Sequence, residues 1–267
     1  MSAPGRAAAP LQTAGWLFFL LISLFVTLLP FFWMIYQSCD AAVAAVSANA
    51  YRRLFAQASI PTHFVNSVIY AGGLTALSLI FNTLAGFAFA CLQFPRRERL
   101  FTLLLMTMMI PSQITLVPMF LFLKFFGMLN SFSGLIIPGS AHVFGIFMIR
   151  QFLRDLPEEV FEAARIDGCS EWHLFRHIVL PLSRPILATL AVISFIGAWN
   201  EFLWPLIVMQ KQNMYPLPVA LTMLNSQFYD DMGLMMAGAV VTMVPALLIF
   251  AFAQRHYIKG LTRGAGK

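Results

Sequence analysis

The sequence predicts an all-α membrane protein with six transmembrane helices. Its 267 residues are 60% hydrophobic and only 10% charged. Its mean hydropathy is +0.78, and its charges are spread so unevenly that long stretches carry none. Soluble domains, whose surfaces must be solvated, do not reach this profile.

The spans fall where charge is absent. An Asp, Lys or Arg at the bilayer centre costs roughly 2.5–3.5 kcal/mol, and about 20 apolar residues cross the hydrocarbon. Charge-free gaps run between Arg6 and Asp40, Arg53 and Arg96, Arg99 and Lys124, Lys124 and Arg150, and Asp231 and Arg255. A further apolar run from Pro185 to Val208 is interrupted by Glu201. The expected helices are therefore 16–36, 64–92, 100–123, 134–150, 185–208 and 232–254, in one transmembrane domain covering 1–267.

The first run, Gly15 to Tyr36, exceeds the length of a signal-peptide core and reads as an uncleaved anchor. The fourth is short and holds Pro138 and His142, but parity requires it. The basic connections at 95–99 and 150–184 belong on one side, so an even number of crossings separates them. With both termini (1–15 and 255–267) on that cytoplasmic side, thirteen of the seventeen Lys and Arg lie inside, leaving Arg52, Arg53, Lys124 and Lys211 outside. Topology thus accounts for the net charge of +6 without nucleic acid as a partner. Cys39, Cys91 and Cys169 suggest no disulfide framework.

Segment 151–184, "EAARIDGCSEWHLFRHIVLP" at its centre, is a polar insert too long for a simple reversal. Asp155 and Glu158 read as a capping pair, and Pro157 suits a first helical turn. A short helix then runs to Gly168, a left-handed stop. Ser170 caps a second helix, carrying Trp172, Phe175 and Val179 at helical spacing, which Pro181 is expected to end. Residue chemistry leaves two readings open: amphipathic helices lying along the headgroups, or a corner projecting into the cytoplasm to fit another protein's cleft.

Glu162, Ala163, Ala164, Gly168, Ile178, Leu180 and Pro181 carry the pattern Glu-Ala-Ala, Gly, Ile-x-Leu-Pro. It resembles the EAA signature of permease subunits of binding-protein-dependent ABC importers. "MMIPSQITLVPMFLFLKFFGMLNS", "FGIFMIRQF", "FIGAWNEFLWPLIV" and "QRHYIKGLTRGA" are similar to the carbohydrate class, in particular its maltose-permease-type second subunit. The resemblance implies a type I ABC importer permease fold in the bacterial inner membrane. It also implies several partners: a second permease subunit, two ATP-binding cassette subunits holding ATP and Mg, and an extracytoplasmic solute-binding protein. By the same resemblance, Glu162, Ala163, Ala164, Arg165, Asp167 and Gly168 form a coupling helix and corner docked on an ATPase subunit. The C-terminal tail becomes a second contact, and the loop from Met209 to Met232 touches the binding protein. This chain itself would carry no cofactor and no catalytic or metal site.

Within the apolar runs Glu201 is the only acidic residue, flanked by Trp199, Asn200 and Trp204. Glu201 lies about 24 Å along the helix from Pro185 at 1.5 Å per residue, in the outer half of the bilayer. Two readings stand: interfacial anchoring by the two Trp, or a substrate pathway through Trp199, Asn200 and Glu201. Pro111 and Pro118 are expected to kink the third span and turn it toward a subunit interface. His142 and Asn82 read as satisfied interior polar residues.

An ion-coupled secondary transporter is the first rival, yet a single off-centre Glu and no evident repeat argue against it. A membrane enzyme would need paired carboxylates or a metal cluster. His173 and His177 lack a third ligand. "GLTRGAGK" misses phosphate-loop spacing and has no following Ser or Thr.

Overall fold

The structure, a computed structural model, describes residues 8–39, 44–57, 59–227 and 231–264. Among these residues it is helical throughout, with no strand. The helices are α1 (Ala8–Ser38), α2 (Ala44–Gln57), α3 (Ile60–Cys91), α4 (Arg97–Thr107), α5 (Ser112–Phe125), α6 (Phe132–Ser140) and α7 (Val143–Arg154). They continue as α8 (Glu158–Ile166), α9 (Glu171–Leu174), α10 (Leu180–Leu182), α11 (Arg184–Asn200), α12 (Leu203–Val208), α13 (Leu217–Gln227) and α14 (Met232–Gly264). A π turn, Phe175–Val179, joins α9 to α10.

The chain divides into two compact units. One is Met1–Ala58 with Leu224–Val241; the other is Ser59–Met223 with Thr242–Lys267. In the first unit the Tyr51 hydroxyl donates to Ser38 Oγ at 3.0 Å. Arg53, an exception to the charge rule, pairs with Asp231 at 2.8 Å, and Asp231 Oδ1 also accepts the Leu234 amide at the start of α14. One carboxylate thus neutralises a guanidinium and caps a helix.

In the second unit α3 runs through the middle, with α6, α7 and α11 packed around it. Close approach requires a glycine where α3 meets α7: a Cβ on Gly86 would stand 2.6 Å from two Ile149 side-chain atoms and 3.2 Å from the Arg150 amide nitrogen. Ile149, Leu190 and Leu135 are fully buried on the facing helices.

Among the described residues, three helices are long and apolar enough to span a membrane unbroken: Gly15–Ser38, Ile60–Cys91 and Met232–Ala251. The segment expected as one kinked helix over 100–123 is instead two helices, α4 and α5, meeting at 97°. Pro111 precedes α5 in an extended conformation. A residue without an N–H begins a helix readily and continues one poorly.

The 134–150 segment is α6 and α7 at 42°, with Ala141 and His142 extended between them. The 185–208 segment ends its first helix at Asn200, turns extended at Glu201 and restarts as α12. Connections read as loops at 37–63 and 209–232 contain α2 and α13, and α14 passes the expected end at 254 to reach Gly264. The last three residues of the phosphate-loop look-alike, 265–267, lie outside the described residues.

Substituting Gly86→Leu is expected to force α3 from α7, at a cost of about 1–3 kcal/mol or more. A lowered unfolding temperature in detergent checks this. An unchanged temperature would show that the contact gives way freely.

Candidate functional site

Two features concentrate the chemistry: the helical corner of the polar insert and a cavity among the broken spans. The corner is built on an apolar cluster. Phe161 and Ala164 of α8, Leu174 of α9, and Phe175 and Val179 of the π turn bury against Phe87 of α3, Ile149 and Leu153 of α7, and Leu190 of α11. The insert therefore packs on the ends of three bundle helices. Burying one such Phe or Leu is worth roughly 1.5–3 kcal/mol, so this attachment is stiff.

Helix α8 carries Glu158 and Glu159 in its first turn and Arg165 in its last, each placed favourably for the helix dipole. It ends in a Schellman arrangement: the Gly168 amide donates to the Arg165 carbonyl and the Cys169 amide to the Ala164 carbonyl, both at 3.0 Å. Gly168 has φ +81°, the left-handed conformation that a Cβ penalises. Ser170 Oγ then accepts the His173 amide at 3.3 Å.

Two expectations are corrected. Asp155 does not cap α8; it terminates α7, and Pro157 occupies the N-cap without a side-chain bond. Pro181 does not end the second helix, which continues through Leu182. The Leu180 amide reaches back five residues to the Phe175 carbonyl, and this wider turn eases the clash a proline makes with the preceding turn.

The six coupling candidates separate by exposure. Glu162, Ala163, Arg165, Asp167 and Gly168 are exposed, whereas Ala164 is buried in the cluster. Arg165 already has partners: its Nε and a terminal nitrogen bond both Glu171 carboxylate oxygens, at 2.9 and 3.3 Å, and that nitrogen also donates to the Cys91 carbonyl at 2.9 Å. It therefore braces α8 to the end of α3. Ile166, overlooked in the sequence, is 86% exposed beside Glu162 and Asp167. A bulky aliphatic residue next to the Glu-Ala-Ala run was the available signal. Trp172 and Val160 are exposed as well.

A second guanidinium fixes α7. Buried Arg150 bonds Glu98 at 2.6 Å and the Phe89 carbonyl at 3.2 Å, and lies 3.8 Å over the Phe101 ring. The Arg150 hydrogen bond leads the influences that hold the Glu98 carboxyl below its usual range.

The cavity measures about 510 Å³ and gathers polar groups from two helices and two helix breaks: Ser112, Gln113 and Thr115 of α5, Ser194 of α11, and His142 and Glu201 at the breaks. Its volume lies within the range of small-molecule sites. Tyr70 and Trp204 also line it, but Trp199 and Asn200 do not. Trp199 is 1% exposed. Its ring packs edge-on to Phe64 and stacks on Phe195, and its Nε1–H donates to the Thr242 carbonyl at 3.1 Å. Asn200 is exposed elsewhere.

Of the pathway trio, then, only Glu201 faces the cavity. Its Oε1 accepts the Leu203 and Trp204 amides at 3.1 and 3.3 Å, capping α12 at the break. The Trp204 indole donates to the Leu135 carbonyl.

Behind the cavity lies a hydrogen-bonded cluster. His142 Nδ1 accepts the Gly145 amide at 3.0 Å, so in the neutral ring Nε2 carries the proton and faces Ser78 Oγ at 3.1 Å. Ser78 Oγ also accepts from Asn82 at 2.7 Å and lies 3.1 Å from Ser194 Oγ. No group of three or more metal-ligating side chains occurs among the described residues.

Bundled apolar helices, a rigid polar corner at one end and a polar cavity within define a membrane permease. The chain belongs to the family described as the binding-protein-dependent transport system inner membrane component, which it matches over residues 82–263. It is 38% identical to the arabinooligosaccharides transport system permease protein AraQ of Halalkalibacterium halodurans, over 77% of this chain and 74% of that one. It is 32% identical to the lactose permease protein LacG of Rhizobium radiobacter, over 90% and 91%, and 35% identical to the sn-glycerol-3-phosphate permease protein UgpE of Salmonella typhi, over 74% and 71%. A chain of a bacterial importer of the acidic polysaccharide alginate shares the fold, with a TM-score of 0.83 at 19% identity, covering 95% of this chain and 99% of that one. This is the type I ABC importer permease fold.

Trp199→Ala is expected to destabilise the protein by about 3–5 kcal/mol, as loss of a packed aromatic does, whereas Asn200→Ala stays within about 0.5 kcal/mol. Thermal unfolding of both variants separates packing from an open pathway. A stable Trp199→Ala protein would contradict this assignment.

Proposed function

We propose that this chain is one of a pair of permease subunits in an ATP-driven importer of a sugar or sugar-like solute. A binding protein delivers the solute on the outer side, and two ATP-binding cassette subunits bind ATP and Mg on the inner side. Substrate class is supported by the arabinooligosaccharide, lactose and glycerol-phosphate permeases the chain resembles. The positive-inside rule supports two cytoplasmic termini.

The observation that carries the reading is the corner of the insert, exposed at Glu162, Ala163, Ile166 and Gly168 yet packed beneath on α3, α7 and α11. Nucleotide-driven closure of a motor can move membrane helices only through a stiff element fastened to them. In this reading α8 seats in a groove of the ATPase subunit and Glu162 meets a basic residue there. Small Ala163 permits close approach, Ile166 fills an apolar pocket, and Arg165 passes the movement to α3.

On the outer face, His63 Nδ1 lies 2.8 Å from the Tyr215 carbonyl, Asn66 donates to the Asn213 and Tyr215 carbonyls, and the Leu217 amide donates to Ser67 Oγ. Asn130 Oδ1 accepts the Gln210 and Lys211 amides. So firmly held a connection suits a landing for the binding protein, and the cavity beside Glu201 suits the solute's route.

Glu162→Lys and Gly168→Val are expected to leave membrane insertion intact and to lower ATP-driven uptake, and stimulation of ATPase activity by the binding protein, by about tenfold or more. Gly168→Val acts through backbone strain of roughly 1–2 kcal/mol. Reconstituted assemblies with the native partners give the readout. Wild-type uptake and stimulation in both variants would refute the coupling role.

A further inference from the structure

We infer that Glu201 sets the charge of the passage: the cavity takes an uncharged polyhydroxylated solute, a neutral oligosaccharide, and turns away phosphate- or carboxylate-bearing ones. This deepens the importer reading and rests on the cavity lying along the solute's route. The chain's relatives span both kinds of cargo by name, neutral for the lactose permease and anionic for the glycerol-phosphate permease, so family membership leaves the choice open.

The cavity decides it. Among the described residues, Glu201 is its single acidic lining residue, and no Lys or Arg lines it. His142, the imidazole among those lining residues, has both ring nitrogens engaged by Gly145 and Ser78. An anion entering here would meet a carboxylate and, among the described residues, no cationic side chain of this chain. A sugar hydroxyl meets the opposite situation. Oε1 of Glu201 is taken by two amides, while Oε2 has no protein hydrogen bond among the described residues and is available as an acceptor. Ser112, Gln113 and Thr115 add donors and acceptors from α5, and Tyr70 and Trp204 offer aromatic surface of the kind that covers sugar rings.

Ser194, Gly197 and Glu201 lie on one face of the α11 segment at helical spacing, and all line the cavity. Nothing stands within 4 Å of a Cβ built on Gly197, so a Gly197→Cys thiol reports the local potential without disturbing packing.

The test uses the whole importer with its native partners and a background in which Cys39, Cys91 and Cys169 are replaced by Ser. The Gly197→Cys thiol is modified in parallel with sulfonatoethyl (anionic), hydroxyethyl (neutral) and trimethylammonioethyl (cationic) methanethiosulfonate. The anionic reagent is expected to react roughly 10- to 100-fold more slowly, relative to the neutral one, than it does with a free thiol in solution. Glu201→Gln, which keeps an Oε1 acceptor for α12, should restore most of that ratio. Should Glu201→Gln fail to assemble, raising salt from about 0.05 to 1 M in the Glu201 protein should raise the anionic ratio several-fold by screening.

A ratio at its solution value with Glu201 present, or one unmoved by both Glu201→Gln and salt, overturns the inference. ATP-driven uptake measured on the same preparations keeps the two claims apart. Uptake with an insensitive ratio sinks the charge assignment alone, whereas the expected ratio without any ATP dependence sinks the importer reading while supporting the charge assignment.

Discussion

The structure depends on the apolar weld between the polar insert and the ends of α3, α7 and α11. Phe161, Leu174, Phe175 and Val179 contribute from the insert, and Phe87, Ile149, Leu153 and Leu190 from the bundle. Magnitudes decide its rank. Each large apolar group contributes roughly 1.5–3 kcal/mol, whereas the half-exposed Arg165–Glu171 pair contributes about 0–1. Hydrophobic burial supplies the strength; the guanidiniums supply direction. Arg165 fixes the α8 end against the last turn of α3, and Arg150 fixes the α7 end against Glu98 and Phe101. A corner free of these contacts could turn under load without moving any span.

The second organising constraint is the bilayer's intolerance of unpaired backbone. Every break in a span frees amides that water cannot reach. Two of the breaks are met by a polar side chain, His142 for Gly145 at the head of α7 and Glu201 for Leu203 and Trp204 at the head of α12, and Ser131 does the same for Gly134 at the head of α6. The elbow before α5 has Pro111 at its N-cap and no side-chain bond. Because the breaks at His142 and Glu201 adjoin one cavity, their capping groups become part of its lining. Polarity demanded by local geometry and polarity useful to a passing solute thus arise together.

The sequence revealed as much as charge and turn chemistry can reveal. Gaps between charges located the apolar segments, and Gly168 and Ser170 marked the corner and the next helix correctly, since a left-handed stop and an N-cap are local properties. Hydropathy averages along the chain and carries no direction, so the 97° elbow before Ser112 and the restart after Glu201 were invisible to it. Trp199 and Trp204 look alike in sequence, but only tertiary packing buries one between the edge-on ring of Phe64 and the stacked ring of Phe195 and leaves the other beside the cavity. Likewise Pro181 reads as a terminator until the π turn before it widens the coil. The EAA pattern identified the corner, but not which of its residues bury: Ala164 turns inward while its neighbour Ala163 stays out.

Glu201 also constrains how this lineage can diverge. Its Oε1 holds the first turn of α12, so the residue is fastened to the backbone and cannot drift freely. Ala or Leu would discard the anchor together with the charge, whereas Asp or Asn are residues whose side chains commonly accept amides two and three positions on. Gln or Asn would remove the charge and keep an acceptor for the head of α12, so a descendant adapting to a different cargo has only a narrow doorway.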